Sequence, residues 1–293
     1  MPAFSAAVEG FRLAFDRFGS PGRASVVLLH GWPGHRRDYR LVAADLAQVA
    51  DVVVPDLRGF GESTKHLADP SQFYSADAQA RSVAALIDEL SLDRVVVGGY
   101  DIGSRIAQTL ARRLPQRVLG LVVSPPLPGI GDRVLGEQAQ REFWYQAFHQ
   151  LGLADDLIDG KPNAVRAYLR HFWDHWSGPG FRISEEHFEG LAAEYEAPGA
   201  FSASIAWYRA GAGTVAHSLH EQTAAPVERI AVPTQVLWPK KDPLFPPEWA
   251  DRLDRYFADI SIHFHDSAGH FTPLECAGEF AGLVRGFFSH LRH

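Results

Sequence analysis

The chain has 293 residues, 46% hydrophobic and 22% charged, with a formal net charge of −7. That balance fits a globular protein with a large core, and without a cluster of Lys and Arg it excludes nucleic acid as the expected partner. The one cysteine, Cys276, cannot form an internal disulfide, no stretch approaches the ~20 apolar residues of a membrane span, and residues 1–18 lack the basic-then-apolar pattern of a secretory leader, so the expected setting is cytoplasmic.

Residues 11–17 alternate polar and apolar and predict an edge strand. Residues 25–30, 51–54, 94–97 and 118–123 are short apolar runs near Gly or Pro, the pattern of strands buried on both faces. Residues 75–90 predict a helix, with Val83, Leu86, Ile87 and Leu90 on one face and Ser75 at its N-cap. From about residue 127 to 223 strand signal is sparse and aromatics and histidines are dense. Breakers stand at Gly160, Pro162, Gly178, Pro179, Pro198 and Gly199. This stretch reads as a helical insertion over the C-terminal edge of the sheet, where open α/β sheets bind ligands. Strands return at 234–238 and 260–264, and Phe280, Leu283, Val284, Phe287 and Leu291 mark a last helix. Strands alternating with helices imply an α/β fold, a mostly parallel sheet covered on both faces. The expected division is a core of residues 1–126 and 224–293 and a helical cap of residues 127–223.

The sharpest motif is Val97-Gly98-Gly99-Tyr100-Asp101-Ile102-Gly103-Ser104. A buried strand ends and a helix begins, with small residues two positions either side of Asp101. This is the pattern of a nucleophile elbow, usually centred on Ser. It lifts the central side chain to the top of the sheet and aims the Ile102 N–H at a developing oxyanion. An aspartate there is ionised at neutral pH and needs no base to activate it. It is suited to displacement at saturated carbon, because attack on an acyl group would give an anhydride. Taken alone, Asp101 also fits the plainer role of helix N-cap.

Two partners sit in the order that the elbow requires. Asp242 follows the strand at 234–238, and His270 follows the last strand, giving nucleophile, acid, base in the order Asp101, Asp242, His270. Asp242 would hold the tautomer of His270. His30-Gly31-Trp32-Pro33-Gly34 follows the strand at 25–30 and brings the Trp32 N–H forward as a second oxyanion donor. An ordinary Gly/Pro turn is the alternative. In residues 56–63, Asp56 and Arg58 read as ties between loops. His171 and His175 have a metal-like spacing but read better as a packed or solvated helix face, Cys276 reads as packing, and no metal or cofactor is expected.

Together HGWPG at His30, DLRGFGES at Asp56, the Asp-centred elbow and the triad order resemble the epoxide hydrolase branch of the α/β-hydrolase superfamily. The resemblance spans nearly the whole chain and extends into the insertion. Residues 143–150 and 171–176 are similar to the first lid segment of bacterial epoxide hydrolases, and Ala206-Trp207-Tyr208-Arg209 to the second. In that family each lid segment carries one tyrosine that donates to the epoxide oxygen, which implies Tyr145 and Tyr208 here. Those two, with Trp32, would contact the substrate. On their aromatic neighbours alone both would read as lid core. Tyr100 and Ile102 depart from the His and the aromatic residue that many members carry beside the nucleophile. The implied reaction opens an epoxide to a vicinal diol through an ester on Asp101, without a cofactor. The aromatic lid implies a small, neutral, mainly apolar epoxide. A haloalkane or halo-acid dehalogenase on the same fold is the nearest alternative, and a non-catalytic small-molecule-binding scaffold the next.

Overall fold

The computed structural model describes residues 2–289. Leu291, placed above on the last helical stripe, lies outside them. Eight strands form one sheet: β1 (Ala3–Phe4), β2 (Ala14–Gly19), β3 (Ala24–Leu29), β4 (Ala50–Pro55), β5 (Val95–Gly99), β6 (Val118–Val123), β7 (Thr234–Pro239) and β8 (Ile260–His265). Their order is β1-β2-β4-β3-β5-β6-β7-β8. β1, β2 and β4 pair antiparallel, and from β4 to β8 every neighbour is parallel. The apolar runs behave as their composition dictates. β4 and β5 are buried at every position, because helices cover both faces.

The edge strand expected at 11–17 is displaced and is not outermost. β2 starts at Ala14, pairs with β4 on one side and carries the two-residue β1 on the other. Phe11, the first apolar residue of the alternation, instead packs with Tyr74 and Ala206 in a small separate cluster. Tertiary packing there overrides the period-two signal.

Helices α1 (Arg40–Leu46), α2 (Pro70–Phe73), α3 (Ala76–Glu89) and α4 (Ile102–Arg113) follow the first strands. The Ser75 hydroxyl caps α3 by accepting from the Ala78 N–H at 3.3 Å. Between β6 and β7 the described residues form helices and no strand: α5 (Glu137–Glu142), α6 (Trp144–Phe148), α7 (Gly152–Ile158), α8 (Pro162–Trp176), α9 (Glu185–Tyr195), α10 (Ala200–Arg209) and α11 (Thr214–His220). After β8 come α12 (Thr272–Glu275) and α13 (Ala277–Ser289). α1 packs with α13, and α3 with α4. Neighbouring strand residues show the two faces: Gly98 of β5 meets Phe280 of α13, whereas Gly99 meets the backbone of α4.

From β3 the chain goes to β4 on one side, then crosses to β5 on the other. That reversal is where open α/β sheets leave a crevice beyond the strand ends. The loops after β3, β5, β7 and β8 all open there, and they carry Trp32, Asp101, Asp242 and His270.

Candidate active site

The turn after β5 closes only with glycine at two places. A Cβ on Gly99 would collide with the Gly103 carbonyl, and one on Gly103 with the Leu29 carbonyl. Asp101 sits between them at φ +48° and ψ −123°. For a non-glycine residue that backbone costs about 1–3 kcal/mol, which the packing around the turn has to offset. Although Asp101 occupies the N-cap position of α4, its side chain makes no capping bond. Its Oδ2 accepts the Trp32 N–H at 2.7 Å, and the Ile102 N–H also faces the carboxylate. The two amides proposed as oxyanion donors therefore meet at one carboxylate.

His270 lies across from it, with Nε2 3.9 Å from Asp101 Oδ1. Its Nδ1 pairs with Asp242 Oδ2 at 2.8 Å, and Asp242 Oδ1 accepts the Leu244 N–H at 2.9 Å. The Asp242 bond fixes the ring so that Nε2 faces Asp101; Nε2 is buried and has no hydrogen-bond partner among the described residues. Burial pulls the His270 pKa down, but the charge and hydrogen bond of Asp242 and the charge of Asp101 outweigh it, and the net shift is upward. Burial raises the Asp101 carboxyl, opposed by His270 and by the Trp32 and Ile102 amides.

The two tyrosines come from different inserted helices, Tyr145 from α6 and Tyr208 from α10. Both are buried and both pack on the Trp32 ring: Tyr145 stacks at 5.5 Å and 7°, and Tyr208 stands at 5.8 Å and 90°. Their own rings meet edge-on at 5.5 Å. Burial pushes both phenol pKa values well above 10, and the Asp101 charge adds to the push. They are therefore held as neutral O–H donors.

Three residues around the site were not singled out from sequence. The Gln146 amide donates to the Tyr145 oxygen at 3.1 Å, and its carbonyl accepts the Val215 N–H at 3.0 Å. His149 packs on Tyr208 at 4.8 Å and on Trp32 at 4.9 Å, with Nε2 on the Tyr168 hydroxyl at 2.9 Å. Burial drives its pKa well below 6.5, so it is neutral. Glu275 ties the His270 loop to the end of α8. Its Oε2 accepts the Gly269 N–H at 2.7 Å and the Gly178 N–H at 2.8 Å, and its Oε1 the Phe271 N–H at 3.0 Å. The His270 N–H donates to the Trp176 carbonyl at 2.8 Å, and Phe271 stacks on Trp173 at 3.6 Å. A carboxylate one short helix beyond the base is the only sequence trace of this tie.

Asp56 and Arg58 do tie loops. Asp56 accepts the Arg36 and Glu62 N–H groups at 2.8 and 2.9 Å, and Arg58 reaches Ser82 at 2.7 Å and Glu9 at 2.9 Å. Tyr100, the departure before Asp101, donates to Asp38 Oδ2 at 2.6 Å. Asp38 Oδ1 pairs with His187 Nε2 of α9 at 2.8 Å. His35, Asp38 and His187 bring three metal-type donor atoms within 4.8 Å of one another, but the bond to Asp38 already occupies His187 Nε2. His265, Cys276 and Glu279 form a second such trio. His171 and His175 stack at 5.8 Å, and His175 pairs with Glu142 at 2.7 Å. Cys276 is buried with Sγ 3.3 Å from the Thr272 carbonyl, and burial raises its thiol pKa.

The sheet order and the turn at Asp101 are those of an α/β hydrolase. Residues 24–276 match the family model for the alpha/beta hydrolase fold, and the chain belongs to that family. It is 28% identical over 295 residues to the soluble epoxide hydrolase of Corynebacterium sp. (strain C12), covering 98% of this chain and 97% of the relative. It is 29% identical over 285 residues to the fluoroacetate dehalogenase of Burkholderia sp, covering 94% and 90%. Among solved structures, the Bacillus megaterium epoxide hydrolase in complex with an inhibitor has the same fold, with a TM-score of 0.81 at 22% identity over 98% of this chain and 100% of that one. No helix among the described residues is long and apolar enough to cross a membrane.

Proposed function

We propose that the chain is an epoxide hydrolase with Asp101 as nucleophile. The observation that carries this reading is the pair of buried, neutral phenols, Tyr145 and Tyr208, packed on the Trp32 ring whose own amide binds the Asp101 carboxylate. One Asp101 oxygen attacks an epoxide carbon, the ring C–O bond breaks, and a phenol protonates the leaving oxygen. The product is a hydroxyalkyl ester on Asp101. His270, held by Asp242, takes a proton from water as that water adds to the ester carbonyl. The amides of Trp32 and Ile102 hold the oxyanion. Collapse breaks the acyl–oxygen bond and frees the diol. The two protons of the water, one carried by His270 and one lost from the hydroxyl added to Asp101, go to the departing alkoxide and to the phenolate, which restores the carboxylate, the neutral His270 and the phenol. The helices between β6 and β7 act as the cap that supplies the phenols. The aromatic lining they bring supports a small, neutral, mainly apolar epoxide as substrate.

A dehalogenase is the second reading, supported by the similarity to the fluoroacetate enzyme. It shares both steps except the leaving group, a halide instead of an alkoxide. Product analysis separates them. The epoxide reading expects a vicinal diol from one or more of a panel of terminal and disubstituted epoxides, and no halide from haloalkanes or fluoroacetate. Halide release without diol formation would replace it.

A further inference from the structure

Helix α4 begins at the nucleophile and carries two arginines on the face that turns away from the sheet. Arg105, Gln108, Thr109 and Arg112 line one wall of a cavity of about 570 Å³, and α11 with the segment after it lines the other. This cavity shares no lining residue with the triad or the two tyrosines.

Arg105 is 6% exposed, yet its guanidinium has no hydrogen-bond or ion-pair partner among the described residues, and Nε and Nη2 are sealed from solvent. A buried guanidinium normally sits on a carboxylate, because an unpaired buried charge is costly. Burial indeed lowers its pKa to about 10. Arg112, seven residues on and exposed at the same cavity, likewise has no hydrogen-bond or ion-pair partner for its guanidinium among the described residues. The adjacent Arg113 shows the contrast, because it points elsewhere and pairs with Asp77 at 2.7 Å.

Two carboxylates stand on the opposite wall, Glu221 and Glu228; the Glu221 charge acts on both arginines without forming an ion pair, and Glu228 Oε2 accepts the Ala225 N–H at 3.0 Å. Glu221 Oε2 accepts the Gly129 N–H at 2.7 Å and the Tyr256 hydroxyl at 3.3 Å, and Oε1 lies 3.8 Å from His217 Nε2. His217 itself faces Arg105, Arg112, His220 and Glu221, and the field of Arg105, with burial and Arg112 behind it, holds it neutral with a pKa of about 3. The cavity therefore offers two guanidinium groups with no carboxylate bound to either, while the Gln108 amide donates to Ser104 and the Pro126 carbonyl and the Thr109 hydroxyl to the Arg105 carbonyl.

We infer that this cavity behind α4 binds a small molecule through an oxyanion group, a phosphate or a carboxylate, held by Arg105 and Arg112. Planar guanidinium donors suit both. The site lies apart from Asp101 and is independent of which substrate the hydrolase takes.

Titration of the protein with sodium phosphate and sodium citrate, against sodium chloride at matched ionic strength, tests this by calorimetry and by the rise in Tm that ligand binding produces. Saturable binding of either oxyanion is expected, with phosphate alone pointing to a phosphoryl ligand and citrate alone to a carboxylate. Arg105→Gln and Arg112→Gln should each weaken it about tenfold or more, since each loses a charge-assisted contact, while Arg113→Gln should leave it unchanged. Binding should also raise the NMR-detected pKa of His217 from about 3, because the anion offsets the arginines. If Arg105→Gln fails to fold, the exposed Arg112→Gln decides alone. No saturable binding of either anion, or equal affinity in the arginine variants that fold, would overturn the inference.

Discussion

Nε2 of His270 faces Oδ1 of Asp101 across 3.9 Å, while Nδ1 of the same ring is bonded to Asp242 at 2.8 Å. The gap is too long for a hydrogen bond, so the ring does not clamp the nucleophile. That spacing is compatible with the role proposed for His270, taking a proton from a water that approaches the Asp101 carboxyl carbon.

The tyrosines should act on ring opening only. General acid catalysis is typically worth roughly 100- to 10,000-fold. The Tyr145→Phe/Tyr208→Phe double variant should lose kcat/KM on that order for an epoxide, and each single variant less, because the remaining phenol still donates. Single-turnover ester formation measures it directly. Unchanged rates in the double variant would show both rings to be packing only.

The pH dependence has a defined sign. His270 has to be neutral to act as a base, and its pKa lies above the ordinary 6.5 because Asp242 and Asp101 outweigh burial. The kcat–pH profile should therefore fall toward acid through an inflection above 6.5. Stability runs the other way. A raised folded-state pKa contributes stability that is fully present below the unfolded value and lost as pH rises through the folded one. The His270 contribution to Tm should therefore fade over the window in which kcat rises. An acid inflection below 6 would contradict the assignment.

Glu275 should hold the His270 loop in place. Glu275→Gln replaces one of the two oxygens that receive the Gly269, Gly178 and Phe271 amides with a donor. Leaving a buried N–H unmatched costs about 1–3 kcal/mol. A lower Tm and a reduced kcat with little change in KM are expected. An unchanged Tm would show that the loop does not depend on this carboxylate.

Tyr100 should prove a scaffold residue. Tyr100→Phe removes its 2.6 Å bond to Asp38, which keeps His187 at 2.8 Å and the His35 N–H at 3.1 Å. A loss of about 1–3 kcal/mol in stability, with kcat within a few-fold, is expected from denaturation and steady-state assays. A hundredfold drop in kcat at unchanged stability would place Tyr100 in the chemistry.

The central strands, the turn at Asp101 and the convergence of Asp101, Asp242 and His270 were legible because they leave local marks: continuous apolar runs, glycines that a turn cannot do without, and positions after successive strands. The outer edge of the sheet was not. In the period-two pattern at Phe11, Leu13 and Phe15, Phe11 packs with Tyr74 outside the strand while Leu13 and Phe15 join the main core, and the two-residue β1 is too short to show a pattern. Glu275 and Asp38 were invisible as site-builders because they act on backbone amides and side chains far away in sequence, such as Gly178 and His187. Gln146 was hidden differently, since its neighbour Tyr145 took the attention of the motif.

The most direct test of the account is the intact mass of His270→Gln after exposure to an epoxide, with peptide mapping. Without the base the first step proceeds and the second stalls, so an adduct with the full mass of the epoxide should accumulate on Asp101. An adduct on another residue, or none with any epoxide that the unmodified enzyme converts to diol, would contradict the covalent aspartate mechanism.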